Sequence, residues 1–75
     1  MLEYELYELI LMVSKSQKDD LQLDKQLVDI GIDSIGLIKL FLLIEEKADI
    51  HISDESIITN QLNTIGDILN LINGV

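Results

Sequence analysis

No cysteine occurs in this chain and His51 is its single histidine, so neither a disulfide framework nor a thiolate or nitrogen-rich metal cage is available to hold it together. Arginine is absent too: five lysines stand against 14 acidic residues, a net charge of -9. Such a chain repels phosphate backbones and offers no basic stripe to neutralise them, which excludes nucleic acid as a natural partner. The same charge disfavours anionic membrane surfaces and favours encounters with basic patches on other proteins. Long apolar runs are also missing. The longest, residues 35–44, is interrupted by Lys39 and falls short of the roughly 20 residues a membrane span needs. Residues 1–13 lack a basic start and are interrupted by Glu3, Glu5 and Glu8, so no signal peptide is visible, and a soluble cytoplasmic protein is expected. No repeat, low-complexity tract or Pro/Gly-rich linker divides the chain. With 75 residues at 48% hydrophobic content it can bury one core and not two, so 1–75 reads as a single domain whose stability must come from regular helix packing.

What is present is helical periodicity. Leu2, Leu6, Leu9 and Val13 form one stripe of a first helix, with Tyr4, Tyr7 and Leu11 on the opposite side as either a contact surface or scattered exposed groups. A long connection follows. Its Leu21, Leu23, Leu27, Val28, Ile30 and Ile32 suggest a segment pinned to the core, with Asp24 capping a short turn that Gly31 ends. Asp33 is a good N-cap for a second helix starting at Ser34 and burying Leu37, Leu40, Phe41 and Ile44. At about 100° per residue, Ile35, Ile38, Lys39, Leu42 and Glu46 fall on the far side of that helix, an unusually apolar face that is either exposed or covered by a neighbouring element. Ser53 and Asp54 offer caps for a brief third helical turn carrying Ile57 and Ile58, and residues 59–63 form a connector. Thr64 with Asp67 resembles a capping box opening a last helix that buries Ile65, Ile68, Leu69 and Ile72 and stops at Asn73 and Gly74. The architecture is all-α, three main helices plus a short one with a long first loop.

Such a bundle lacks the parts of an active site. Asp19, Asp20 and Asp24 lack the ligand alternation and glycine of a calcium loop, and a lone His51 reads as solvent decoration. Ser34 stands out by position: its hydroxyl projects from the first turn of the second helix, where a phosphate ester would lie against the positive end of the macrodipole and its unsatisfied amides. Taken by itself, that position is also what any ordinary helix start looks like. A nucleophilic enzyme built on Ser34 would lack a base, because His51 is the only imidazole and no triad partner is evident.

The stretch IGIDSIGLIKL, residues 30–40, resembles the attachment motif of the acyl carrier and peptidyl carrier proteins, a Gly, a variable residue, Asp, Ser and then Leu or Ile. Gly31, Asp33, Ser34 and Ile35 match it, and the EEKADIHISDE segment and the start of the last helix at Thr64, Ile65, Gly66 and Asp67 resemble family positions as well. The resemblance implies a small four-helix bundle of acyl-carrier type, a monomer with no catalysis of its own. It implies 4'-phosphopantetheine esterified to Ser34, transferred from coenzyme A by a separate phosphopantetheinyl transferase. Acyl- or aminoacyl-loading, condensing and transfer enzymes would then be the partners. Two positions depart from carriers of bacterial fatty acid synthesis, in which acidic residues follow the serine triplet and recur three residues on: Gly36 and Lys39 occupy them here. Ile35, Gly36, Ile38, Lys39 and Leu42 are therefore the expected partner-binding residues, reading a more apolar groove and pointing to a polyketide, nonribosomal peptide or modified-lipid pathway. The rival reading is an acidic interaction module that docks through Tyr4, Tyr7 and the second-helix stripe without a prosthetic group.

Overall fold

In a computed structural model, residues 1–53, 55 and 62–74 are described. They form three α-helices, α1 (Glu3–Val13), α2 (Ser34–Ala48) and α3 (Ile65–Asn73), with 3-10 turns at Lys18–Asp20 and Leu27–Ile30 between the first two. The brief third turn expected around Ser53 and Asp54, with Ile57 and Ile58, lies almost wholly outside the described residues. No strand occurs among the described residues, so the all-α reading holds.

Leu6, Leu9 and Ile10 are the buried face of α1. Ile10, not Leu2, completes that stripe, because Leu2 sits at the N-cap ahead of the first turn and is exposed. Leucine has no acceptor to cap with, so the start is held from the other side, by Glu5, whose carboxylate accepts the Leu2 N–H at 2.8 Å. Of the second stripe, Tyr7 and Leu11 are half-buried against the core and only Tyr4 stands exposed. Partial burial, the hydrogen bond that the phenol donates to Glu3 at 2.6 Å, and the negative charges of Glu3 and Asp24 push the Tyr7 hydroxyl up to about 12.

Helix α2 buries Leu40, Phe41 and Ile44, with Leu37 half-buried, and ends at Asp49, a left-handed residue at φ 53° whose N–H bonds to the Glu45 carbonyl. A short polar side chain is among the few that tolerate that conformation. Lys47 Nζ near the end of α2 lies 4.0 Å from Glu5 Oε2 near the start of α1, so the two helices run antiparallel. Helix α3 adds Ile65, Ile68 and Ile72 to the core, and Leu69 is half-buried.

The long connection is structural. Leu21, Leu27, Ile30 and Ile32 are fully packed in the core, whereas Leu23 and Val28 point out. Asp24 does not cap the short turn as expected. It belongs to a tighter turn closed by the Lys25 N–H on the Gln22 carbonyl, and Gln26 precedes the 3-10 turn with no side-chain cap. Three backbone bonds then fasten the connection to the start of α3: Leu27 N–H to Asn63 O at 2.9 Å, Ile65 N–H to Lys25 O at 3.1 Å and Gly66 N–H to Leu23 O at 2.8 Å.

Gly66 makes the last of these possible, since a β-carbon there would stand 3.0 Å from the Leu23 carbonyl oxygen, a backbone atom that cannot step aside. Alanine is the better helix former by up to about 1 kcal/mol, but overpacking against fixed backbone costs roughly 1–3 kcal/mol and wins. Gly66→Ala should therefore lower stability by about 1 kcal/mol, a fall in Tm of roughly 4–8 °C for a domain of this size. A melting curve at or above that of the wild type would contradict the close approach.

Candidate functional site

The site forms where the first connection turns into α2. Ile30 and Ile32 are both buried, and Gly31 between them is exposed at φ 78° with nothing within 4 Å of a β-carbon. The glycine is thus required by backbone conformation, not by space. Its N–H returns to the Val28 carbonyl and the Ile32 N–H to the Leu27 carbonyl, closing the 3-10 turn just before the helix. Ser14 at the end of α1 ties the same corner down, its hydroxyl donating to the Ile30 carbonyl at 2.6 Å.

Asp33 then caps α2 as expected: its Oδ1 accepts the Gly36 N–H at 2.8 Å and its carbonyl accepts the Leu37 N–H at 2.9 Å. Ser34 is the first helical residue and is exposed, and no other described residue bonds its hydroxyl. The capping leaves the Ser34 and Ile35 amides as the orphan donors of the helix start, beside the positive end of the dipole. His51 offers no base to this serine. It is exposed, with Nδ1 3.0 Å from Glu45 Oε2, and Glu45 lies roughly 16 Å along the helix axis from Ser34.

The outward face of α2 is exposed. Ile35, Ile38 and Leu42 are each at least 60% accessible and Lys39 stands among them, while Gly36 is half-buried beneath the Asp33 cap. A β-carbon on Gly36 would lie 3.3 Å from Asp33 Oδ1, so a larger residue there would need that carboxylate to shift by a few tenths of an ångström.

Sequence periodicity did not foresee the cavity beside Ser34. It measures about 320 Å³ and is lined by Val28, Leu37 and Leu62 together with Gln26, Asp33 and Asn63. Its walls come from segments far apart in the chain, brought together by core packing and by the bonds between the first connection and the start of α3. Asp67 anchors the far wall. Its Oδ2 accepts the N–H groups of Asn63 at 2.9 Å and Thr64 at 3.0 Å, and the Thr64 hydroxyl accepts the Asp67 N–H at 3.1 Å, the capping box expected from the sequence.

An exposed serine hydroxyl at a helix N-terminus, with an adjacent cavity lined by both aliphatic and polar residues, fits an arm made of a phosphate, two amides and an aliphatic chain. A family model for the phosphopantetheine attachment site matches residues 5–72. The chain belongs to that family, the acyl and peptidyl carrier proteins, and its cofactor is covalently attached 4'-phosphopantetheine. Domains of this family are typically non-catalytic carriers, served by a phosphopantetheinyl transferase and by the enzymes of their pathway. No helix among the described residues is long and apolar enough to cross a membrane.

The cavity wall should respond to acid. The bonds from Asn63 and Thr64 hold the Asp67 carboxyl below its ordinary value of 3.8, so the stability they contribute is present above that value and is lost as pH falls through the lower folded one. Asp67→Asn should cost about 1 kcal/mol near neutral pH, the usual worth of such a cap. The gap between wild type and variant should close in thermal melts taken below about pH 4. A gap that stays constant from neutral pH down through that range would show that the charge is not what holds the segment.

Proposed function

We propose that Ser34 is the attachment residue, esterified by 4'-phosphopantetheine from coenzyme A, and that residues 1–75 act as one carrier domain without catalysis of its own. When bound, the group supplies a thiol on which acyl or aminoacyl cargo rides as a thioester. The single observation that supports this best is the exposed, unengaged hydroxyl at the start of α2, within the Gly31-Ile32-Asp33-Ser34-Ile35 stretch. The protein's own residues have a positioning task. Asp33 fixes the first turn, the Ser34 and Ile35 amides would hold the phosphodiester, and the wall of Val28, Leu37 and Leu62 would offer the arm a place to rest between visits. A tethered cargo also reaches each partner at high effective concentration without a permanent complex.

The exposed Ile35, Ile38 and Leu42 with Lys39, at the positions where fatty acid carriers present acids, support a dedicated carrier for polyketide, nonribosomal peptide or modified-lipid assembly. Acyl- or aminoacyl-loading, condensing and transfer enzymes of such a pathway are its partners, and the surroundings are cytoplasmic.

Co-expression with a broad-specificity phosphopantetheinyl transferase should add the mass of one phosphopantetheine to the intact protein, and Ser34→Ala should abolish the addition. An unmodified wild type would leave the acidic interaction module as the better reading, and a modified Ser34→Ala would move the site elsewhere. The holo protein should also be a poor substrate for generic fatty acid synthase enzymes. Turnover matching that of a housekeeping carrier would defeat the specialised assignment.

A further inference from the structure

Lys39 is out of keeping with the rest of the molecule. In a chain of net charge -9 it is the one charged residue among the first eleven of α2, SIGLIKLFLLI, and the charge is positive. Its helical neighbours at three and four residues are Ile35, Gly36, Leu42 and Leu43, so nothing within reach along the helix can pair with it. No ion pair among the described residues engages it, whereas Lys47 meets Glu5. An unpaired cation ringed by exposed Ile35, Ile38 and Leu42 does nothing for the fold. It faces whatever covers that surface.

We propose that Lys39 is a specificity-determining residue of the docking face. It selects a partner enzyme whose apolar groove, receiving Ile35, Ile38 and Leu42, carries a carboxylate within reach of Nζ, and it turns away enzymes that read carriers through a basic patch. This rests on the carrier reading and names the partner chemistry of the same surface. A second copy of the chain is a poor occupant, because two molecules each carrying -9 repel. Three exposed aliphatic side chains make a small contact, suited to brief visits and not to a lasting complex. In so small a contact one like charge facing a basic residue weighs heavily on encounter and orientation, which is how charge confers specificity more than affinity.

The test uses the full-length holo protein and a fatty-acid-type acyl transferase whose carrier-docking patch is lysine and arginine. Lys39→Glu should raise kcat/KM with that enzyme at least ten-fold. Reversing one basic residue of the enzyme's patch to glutamate should invert the order, so that wild type outperforms Lys39→Glu. Intact mass should show both proteins carried to complete phosphopantetheine modification before transfer rates are compared, and their melting curves should coincide. Equal transfer rates at positions 39 Lys and 39 Glu with complete modification would overturn this inference and leave the carrier reading intact. Failure of the wild type to be modified at all would overturn both. Self-association in sedimentation experiments that disappears on Lys39→Glu would assign the face to a second copy and likewise overturn the proposal.

Discussion

Two isoleucines pulled into the core on either side of a left-handed glycine decide where the Ser34 hydroxyl goes. Ile30 and Ile32 are buried, and Gly31 lets the chain reverse between them. The residue after Ile32 must then face out, and an aspartate there becomes the cap that starts α2. Ser34 therefore emerges at the end of the bundle with the first-turn amides around it, and no side chain has to hold it. The positioning comes from burial on one side and backbone satisfaction on the other. Neither depends on the hydroxyl being free, so the arm proposed for Ser34 could be added without unfolding the domain.

The same corner explains how so small a chain manages without disulfide or metal. Four of its buried residues, Leu21, Leu27, Ile30 and Ile32, come from the connection between α1 and α2. A loop that long would ordinarily cost more in ordering than it returns. Here its backbone groups are met by residues 63–66, through the bonds of Leu27, Ile65 and Gly66, so it behaves as a fourth packing element. The cavity beside Ser34 lies at this joint, between Val28 on the connection and Leu62 and Asn63 ahead of α3. The Asp67 cap secures the far side of the same joint.

Helix starts were legible in the residues because caps are local chemistry. Asp33 bonds the Gly36 amide and Thr64 pairs with Asp67 as their spacing implies. The α2 faces were legible too, since a helix of fifteen residues samples its period enough times to separate Leu40, Phe41 and Ile44 from Ile35, Ile38 and Leu42. Helix α1 was harder. Leu2 continues the stripe on paper but precedes the first turn, so periodicity overran the element and passed over Ile10. Asp24 misled for a related reason: it is a cap-forming residue, but the turn it joins is closed by backbone alone two residues upstream of the 3-10 segment. The cavity had no local signal at all. Val28, Leu37 and Leu62 meet only through tertiary bonds, and no pattern along a single segment encodes that meeting.

Charge acts on two scales in this molecule, and they point in different directions. At distances beyond a Debye length of about 8–10 Å in ordinary salt little of the net field survives, so what an approaching enzyme meets is mainly the local surface. Over most of the bundle that surface is acidic, consistent with 14 carboxylates. Along the first turns of α2, where an active site would have to lie to reach the arm proposed on Ser34, it is aliphatic with one cation. An enzyme carrying only a basic patch would be drawn toward the acidic surroundings and then mismatched at the contact itself. One with an apolar groove would lose little attraction and gain burial of about 25 cal/mol for each Å² covered. Gly36 adds no charge of its own to this face. Gly36 and Lys39 together leave the exposed side of the first turns of α2 without a carboxylate, and that is the local surface on which the proposed choice of partner rests.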